Sequence, residues 1–335
     1  MLEKPDIDDK DIIICLQTEF GLDVDRISFL PLGADLNTAV YRTNNYNDLS
    51  YFVKLRRGAF NEASVAIPRY LNKQGNKHII PSLLTTTGKL WANMVPFSVI
   101  IYPYIDGQNG FEAKMPELKW VEFGRALKGL HSAAIPLELT NEVPSESFSI
   151  KWPNIVRSFL VLLGQESPID PVAAELAVFL RSKENEIRDL IRRAERLSQI
   201  LLQNPPQFIL CHADVHLWNL LLDASGNLYM VDWDTMIFAP KERDLMFIGA
   251  GLGDSGFSPE EEKTYFYQGY GLTEVNPFAQ AYYRYERILE DIGIYCEQIF
   301  LSSKCQEDRK QALHYLKSNF LPESTIEVAW RSDQT

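Results

Sequence analysis

Three oxygen-bearing side chains in the middle of the chain could together bind a metal ion and accept a proton. Asp214 and Asn219 stand five residues apart, and Asp232 follows them. A carboxylate can orient a hydroxyl group and take its proton. Amide and carboxylate oxygens are hard ligands of the kind that Mg²⁺ prefers. Residues of these types could act as a general base, in the case of Asp214, and as magnesium ligands, in the case of Asn219 and Asp232.

The chain between these residues predicts a β-hairpin. Residues 220–222 and 228–231 are short apolar runs, and residues 223–227 (DASGN) have the composition of a turn. Two such runs around a turn that contains glycine are typical of a hairpin. The hairpin would bring Asp232 back to the loop that carries Asn219.

The spacing resembles a known catalytic loop. Residues 212–219 match the H-x-D-x-x-x-x-N pattern of protein kinases, and residues 231–234 read V-D-W-D. The two patterns together are similar to those of the aminoglycoside phosphotransferase family, kinase-like enzymes that phosphorylate small molecules. Further segments resemble the branch of this family that phosphorylates spectinomycin. These segments are residues 109–111, 155–159, 240–249, 269–271 and 282–287.

This resemblance runs from about residue 30 to residue 320 and implies both a fold and a reaction. The implied fold is α+β and two-lobed like a protein kinase, with a small N-terminal lobe built on an antiparallel sheet and a larger, mainly helical C-terminal lobe. We expect a nucleotide-binding lobe at 1–103 and a catalytic and substrate-binding lobe at 104–335. The implied reaction moves the γ-phosphate of ATP, with Mg²⁺, to a hydroxyl of a cationic aminocyclitol such as spectinomycin.

The resemblance also assigns residues to the nucleotide. Lys54 matches the strand lysine that pairs with the phosphates, and Glu62 matches the helix carboxylate that holds this lysine in place. Asn37 and Thr38 lie in a glycine-poor loop, residues 33–38, that would cover the phosphates. The residues expected to contact adenine at the hinge are Pro103, Tyr104 and Ile105.

The predicted acceptor contacts are mostly acidic. They are Asp234, His216, Glu286, Glu290 and Asp291. Carboxylates near the catalytic loop would bind protonated amines, much as those of family relatives do. Each has a plainer interpretation, since Asp234 could cap the hairpin, His216 could shape its loop, and the three acids near residue 290 could form a solvated helix face.

Alternation of apolar and polar residues predicts the surrounding elements. The first hundred residues favour about five strands and one inserted helix, Glu62 to Gln74, and one of the strands is expected near Ile79 to Thr85. Helical spacing dominates afterwards: residues 120–130 carry an amphipathic stripe, and residues 172–203 form one or two helices. Ser258-Pro259 starts another helix, because Glu261 completes a capping box.

Two motifs in the chain have competing interpretations. His212, Asp214 and His216 alternate and could bind zinc, but this would leave Asn219 and Asp232 unexplained. Residues 251–256 (GLGDSG) spell a dinucleotide fingerprint, but no clear strand follows, so we interpret them as a loop.

The segment after Asp234 bears on the kind of acceptor. Asp244 comes only ten residues later, which leaves no room for the long activation segment of protein kinases. The acceptor should therefore be a small molecule rather than a protein. Arg243 and Asp244 themselves are expected to brace the structure.

Composition limits the partners of the protein. The chain has 335 residues and a formal net charge of −12, which argues against a nucleic-acid binder and suits a cationic ligand. No apolar run is long enough to span a membrane, no secretory signal is visible, and the four cysteines lack a disulfide-like pattern, so we expect a cytoplasmic protein. The oligomeric state is left open. Two other functions also remain open: a kinase of a metabolite such as choline, homoserine or methylthioribose, and an idle nucleotide-binding module.

Overall fold

The computed structural model describes residues 4–33, 37–45, 49–163, 170–250, 255–302 and 306–333. The strands are β1 (Val24–Leu30), β2 (Thr38–Asn45), β3 (Ser50–Arg57), β4 (Ala92–Met94), β5 (Phe97–Pro103), β6 (Gly107–Asn109), β7 (Ile209–Cys211), β8 (Leu220–Asp223), β9 (Leu228–Met230) and β10 (Ile237–Ala239). The helices are α1 (Asp9–Phe20), α2 (Ala63–Lys73), α3 (Glu117–His131), α4 (Leu137–Thr140), α5 (Lys151–Leu163), α6 (Pro171–Ser182), α7 (Glu184–Gln203), α8 (Glu242–Leu245), α9 (Pro259–Tyr270), α10 (Pro277–Phe300), α11 (Gln306–Ser318) and α12 (Thr325–Ser332).

The chain divides into two compact units. Unit 1 comprises Met1–Ala113, Ser132–Val143 and Asp214–Met236, and unit 2 comprises the remaining segments, Lys114–His131, Pro144–Ala213 and Ile237–Thr335. The lobe boundary expected between residues 103 and 104 stays a prediction.

A five-stranded antiparallel sheet forms the larger part of unit 1. Its strand order is β1-β2-β3-β5-β4. Val53 and Leu55 on the central strand β3 are fully buried, together with Tyr41 and Val99 on its neighbours. Helix α1 contributes to the same core, and its N-cap Asp8 accepts a hydrogen bond from the main-chain N–H of Lys10 at 2.9 Å. Alternation along β3 therefore points one set of side chains into this core and the other set, which includes Lys54, to the opposite face.

The predicted hairpin is present in unit 1 as β8 and β9. The Asp223 carboxylate closes its turn by accepting the main-chain N–H groups of Ser225 and Asn227 at 2.9 and 2.8 Å. A third strand, β6, pairs with β8 in antiparallel register, and the sequence had not indicated it. The hairpin is thus held on both sides, because Met230 also donates its main-chain N–H to the main-chain oxygen of His78 at 2.8 Å.

The strand expected at Ile79 to Thr85 is wrong. Ile79 makes an isolated parallel bridge to Met230, and Leu83 donates a single main-chain hydrogen bond to Ile101 at 2.8 Å. Pro81 lies between them and has no N–H to give to a ladder. The segment therefore has a β-like composition but does not form a paired strand.

Unit 2 is mainly helical. Its core gathers side chains from α5, α6, α7, α10, α11 and α12. Residues 172–203 form two helices, α6 and α7, and the capping box of Ser258 and Glu261 starts α9 as the sequence indicated. The two-stranded sheet β7-β10 also lies in this unit. Among the described residues, no helix is both long and apolar enough to cross a membrane.

Helices α3 and α9 cross unusually closely in unit 2. A Cβ atom at Gly124 would collide with the main-chain oxygen of Phe266, and one at Gly269 with that of Val121. Only glycine at both positions permits this approach. The crossing places His131, at the end of α3, beside Tyr270, at the end of α9.

Candidate active site

The loop after β7 brings Asp214 and Asn219 into direct contact. Asn219 ends a 3₁₀ turn (Leu217–Asn219), and its Nδ2 atom donates to the main-chain oxygen of Asp214 at 2.9 Å and to its carboxylate at 3.2 Å. His216 Nε2 lies 3.4 Å from the other carboxylate oxygen of Asp214. The predicted base therefore lies between an amide and an imidazole, and Asn219 keeps its Oδ1 atom available as a metal ligand.

Asp232 joins this group through the hairpin. The main-chain N–H of Val231 donates to the main-chain oxygen of Asn219 at 3.0 Å. Asp232 adopts a left-handed conformation, with φ 63° and ψ 68°, which is costly for a residue with a side chain. The turn is fixed by Trp233, whose indole donates to the main-chain oxygen of Met230 at 3.0 Å. Strain of this kind is found where a side chain must point in one direction.

Lys54 is a largely buried cation of the site. Its ammonium group lies 3.0 Å from the carboxylate of Asp232 and 2.5 Å from that of Asp234. The lysine side chain is only 11% exposed. Burial lowers the pKa of Lys54, but the two carboxylates outweigh it and hold the pKa above its ordinary value. The lysine is therefore charged at neutral pH, as binding to phosphates requires.

The ion pair predicted between Lys54 and Glu62 does not form among the described residues. Glu62 is exposed at the N-terminus of α2, and its carboxylate accepts a hydrogen bond from the indole of Trp91 at 2.8 Å. The two carboxylates that Lys54 contacts, Asp232 and Asp234, instead come from the turn after the hairpin. This corrects the partner of Lys54; any contact of Glu62 with nucleotide stays a prediction.

Only part of the expected nucleotide loop is described. Residues 34–36 lie outside the described residues, as do residues 251–254 of the glycine-rich motif. Asn37 accepts the main-chain N–H of Arg57 at 2.8 Å, and Thr38 begins β2 directly opposite Arg56 of β3. Asn37 therefore immediately precedes β2 and Thr38 begins it, beside the strand that carries Lys54.

The predicted hinge continues β5. Pro103 ends this strand, and Tyr104 donates its main-chain N–H to the main-chain oxygen of Ser50 at 3.0 Å. The guanidinium of Arg42 lies 4.2 Å from the centre of the Tyr104 ring. Ile105 follows, partly buried. The contacts of these residues with adenine stay a prediction.

A buried carboxylate in unit 2 fixes the chain just before the base. Asp244 accepts the main-chain N–H groups of His212 and Ala213 at 2.9 and 2.6 Å, and it lies 2.8 Å from His131 Nε2. Ala213 is held at φ 71°, a left-handed conformation. Asp244 is fully buried, which raises its pKa, but the His131 hydrogen bond and charge and the main-chain donors bring the pKa below its ordinary value. The brace predicted for Asp244 thus acts on the two residues that precede Asp214.

The zinc interpretation gains no support. The one group of three His, Cys, Asp or Glu side chains found among the described residues with metal-like proximity is His131, Cys211 and Asp244. Its atoms are already hydrogen-bonded, and burial keeps the pKa of Cys211 well above its usual range, so the thiol is neutral. Metal thiolate chemistry needs the deprotonated form.

The acids predicted for the acceptor lie on α10 in unit 2. Glu286 is paired with Arg243 at 2.7 Å, and Asp291 lies 3.3 Å from Arg287. Burial, against the opposing effect of Arg243, raises the pKa of Glu286 to about 7. Within the described ranges Glu290 forms no direct ion pair, but its charge helps to raise the pKa of Arg243. Contact of any of these acids with an acceptor stays a prediction.

Arg56 is a site residue that the sequence interpretation missed. Its guanidinium forms an ion pair with Asp234, the carboxylate that also contacts Lys54. The signal was present, because residues two apart on a strand share a face and Lys54 had already been assigned to the nucleotide. Trp218 was missed as well: it is 47% exposed beside Asn219, and its ring stacks on Phe111 with centroids 4.6 Å apart.

Comparison with known proteins gives matches along nearly the whole chain. A family model described as "Phosphotransferase enzyme family" matches residues 28–282. A structure of spectinomycin phosphotransferase APH(9)-Ia in complex with ADP and spectinomycin is 33% identical, with a TM-score of 0.90 over 99% of this chain and 100% of that one. The AMP-bound complex of APH(9)-Ia is 32% identical, with a TM-score of 0.86 over 98% and 100%.

A more distant likeness concerns the fold alone. Choline kinase LicA from Streptococcus pneumoniae is 16% identical, with a TM-score of 0.53 over 96% of both chains. The α+β kinase-like fold predicted from the sequence is confirmed by these comparisons.

Proposed function

Because the chain belongs to the phosphotransferase enzyme family, we propose that it moves the γ-phosphate of ATP to a hydroxyl of a spectinomycin-like aminocyclitol and so inactivates the antibiotic. The observation that carries this proposal is the assembled set of Asp214, Asn219, Asp232 and Lys54 in unit 1. Identity of 33% along the full length of a spectinomycin phosphotransferase supports the acceptor class.

Asp214 acts on the acceptor hydroxyl. Its carboxylate orients the O–H bond and takes the proton as the acceptor oxygen forms its bond to the γ-phosphorus. The bond between that phosphorus and the bridging oxygen breaks at the same time, and ADP leaves with the electron pair. Asn219 keeps the carboxylate in place through its hydrogen bond of 3.2 Å.

The donor set also suits a magnesium ion. Asn219 and Asp232 offer an amide oxygen and a carboxylate, with no thiolate or imidazole in the pair, which is the chemistry Mg²⁺ favours over zinc. When bound, Mg²⁺ would neutralise charge on the phosphates. Lys54 contributes a second positive charge from a side chain that is almost shielded from water.

Other parts of the chain complete the proposed nucleotide and acceptor contacts. Asn37 and Thr38 would face the phosphates, and Pro103, Tyr104 and Ile105 would contact adenine. Glu290 would bind an amine of the acceptor, helped by the net charge of −12. The three described cysteines are buried and unpaired, which supports the cytoplasmic location that we propose.

An assay of ADP release over a panel of acceptors tests this function. We expect turnover with spectinomycin, a product heavier by one phosphate in mass spectrometry, and loss of both in Asp214→Asn. Choline, homoserine and methylthioribose serve as competing acceptors. Turnover with one of these and none with spectinomycin would replace the aminocyclitol with a metabolite, and ATP binding without any turnover would indicate an idle module.

A further inference from the structure

Two carboxylates from a single turn surround Lys54. Asp232 and Asp234 flank Trp233, and they lie 3.0 and 2.5 Å from the lysine ammonium. Their exposures differ: the Asp232 side chain is 51% exposed and that of Asp234 is 22% exposed. The exposed carboxylate is the one assigned to magnesium. Once Asp232 serves a metal ion, Asp234 is the remaining anion at Lys54.

Helix α2 offers no carboxylate for this purpose. The helix, Ala63–Lys73, contains no acidic residue, and its N-cap Glu62 is exposed and bonded to Trp91. A lysine that is 11% exposed needs a nearby anion to remain charged and in one position. Asp234 meets that need.

Arg56 holds Asp234 from the other side. Arg56 stands two residues after Lys54 on β3, so both side chains leave the same face of the strand. Its side chain is 17% exposed, and it forms an ion pair with the Asp234 oxygen that Lys54 also contacts. One carboxylate oxygen thus bridges two cations, and neither cation can move without disturbing the other.

We propose that Asp234, fixed by Arg56, is the positioning residue for Lys54, in the role that the sequence had assigned to Glu62. This inference rests on the proposed phosphoryl transfer, in which Lys54 stabilises charge on the phosphates. Asp234 and Arg56 act through Lys54 and do not exchange protons with the acceptor. Their loss leaves the lysine present but no longer held where the phosphates lie.

Turnover measurements on four variants test the proposal. Asp234→Asn should lower kcat ~10–100-fold, the range typical of residues that orient a primary ligand, while the acceptor KM stays within about two-fold. Arg56→Gln should also lower kcat. The double variant should lose no more than Asp234→Asn alone, because Arg56 acts through Asp234. Glu62→Gln should show a clearly smaller loss than Asp234→Asn.

Slow hydrolysis of ATP by water provides a readout that needs no acceptor. It uses the same lysine, so the four variants should rank as they do in the transfer reaction. A parent protein that neither binds MgATP nor hydrolyses it would refute the proposed function. A parent that does both, with Asp234→Asn unchanged, would refute only the role of Asp234.

Two further results would overturn the proposal. If Glu62→Gln lost as much kcat as Asp234→Asn or more, Glu62 and not Asp234 would be the positioning residue for Lys54. If a raised Mg²⁺ concentration restored the turnover of Asp234→Asn, Asp234 would be a metal ligand instead. If thermal unfolding shows that Asp234→Asn does not fold, Arg56→Lys and Arg56→Gln provide the test. Arg56→Lys keeps the positive charge and should retain more turnover than Arg56→Gln. Equal losses of turnover in the two variants would contradict the role of the ion pair.

Discussion

Asn219 donates hydrogen bonds from one nitrogen to both the main-chain oxygen and the carboxylate of Asp214, at 2.9 and 3.2 Å. The candidate base and the candidate metal ligand are therefore mechanically linked. A change at Asn219 disturbs the carboxylate of Asp214 as well as the metal site. Substitution at Asp214 is the cleaner test of the base.

Asp214→Asn should keep nucleotide binding and lose turnover by roughly 10²–10⁴, the usual contribution of a positioned general base. The amide retains the shape of the side chain but cannot take the proton. Binding of MgADP is measured by calorimetry and turnover by ADP release. Asp25→Asn, on an exposed part of β1, is the matched control and should behave like the parent. Near-parental turnover in Asp214→Asn would remove this residue from the chemistry.

Asp232→Asn should weaken magnesium binding and lower turnover together. The substitution removes the single carboxylate of the proposed pair of ligands, so a higher Mg²⁺ concentration should be needed for half-maximal activity. The measurement is a magnesium titration of ADP release for parent and variant. A zinc-selective chelator should leave the parent unaffected. Inhibition by the chelator that Mg²⁺ does not reverse would contradict the assignment.

Local chemistry made the catalytic hairpin predictable. The turn at residues 223–227 is stabilised by Asp223 itself, which accepts main-chain N–H groups within its own turn. Such contacts depend only on neighbours in the sequence. The strand expected near Ile79 does not form, because Pro81 has no N–H for a ladder and the segment makes only an isolated bridge to Met230, far away along the chain.

Partner choice was the part of the site that the sequence could not determine. Lys54 is 180 residues from Asp234 and much closer in sequence to Glu62, yet it pairs with Asp234. Glu286 shares a helix face with Glu290, but its partner is Arg243, 43 residues earlier. Pattern and spacing identify the charged groups, and tertiary packing decides which of them neutralise each other.

Asp244→Asn should destabilise the protein, and the loss should depend on pH. The pKa of Asp244 is lowered in the folded state, so the stability that it contributes is present above its unfolded value and disappears as pH falls through the folded value. Removing one partner of a buried pair costs on the order of 3–5 kcal/mol at neutral pH. Urea unfolding at pH 7 and below pH 4 should show the gap between parent and variant narrowing in acid. A gap that is constant with pH would contradict this account.

Glu286 should impose the opposite dependence on pH. Burial raises its pKa from 4.5 to about 7, so between these values the folded protein holds a proton that the unfolded chain releases. The free energy of unfolding should therefore fall as pH rises through this range, by at most about 1.4 kcal/mol per pH unit. Glu286→Gln should lose this slope in urea unfolding from pH 4.5 to 8. Glu290→Gln should keep most of it, because burial is the main cause of the raised pKa of Glu286 and Glu290 a smaller one. An unchanged slope in Glu286→Gln would show that Glu286 titrates normally.

Glu290→Gln should raise the KM for a cationic acceptor more than the KM for ATP. Of the three acids on α10, Glu286 is paired with Arg243 and Asp291 with Arg287. Glu290 forms no direct ion pair with a described residue, although its charge helps to raise the pKa of Arg243, and we expect it to attract a protonated amine. The loss could reach ~1–3 kcal/mol if the contact is shielded from water and would be smaller if it is exposed. Added salt should weaken acceptor binding to the parent, because screening acts on an attraction between opposite charges. The same salt should have less effect on the variant, in which one of those charges is gone.

We would measure the acceptor KM of the parent, Glu290→Gln and Asp291→Asn across a salt series. A Glu290→Gln value that equals the parent at every ionic strength would remove Glu290 from the acceptor site, and the same result for Asp291→Asn would favour a neutral alcohol as the acceptor.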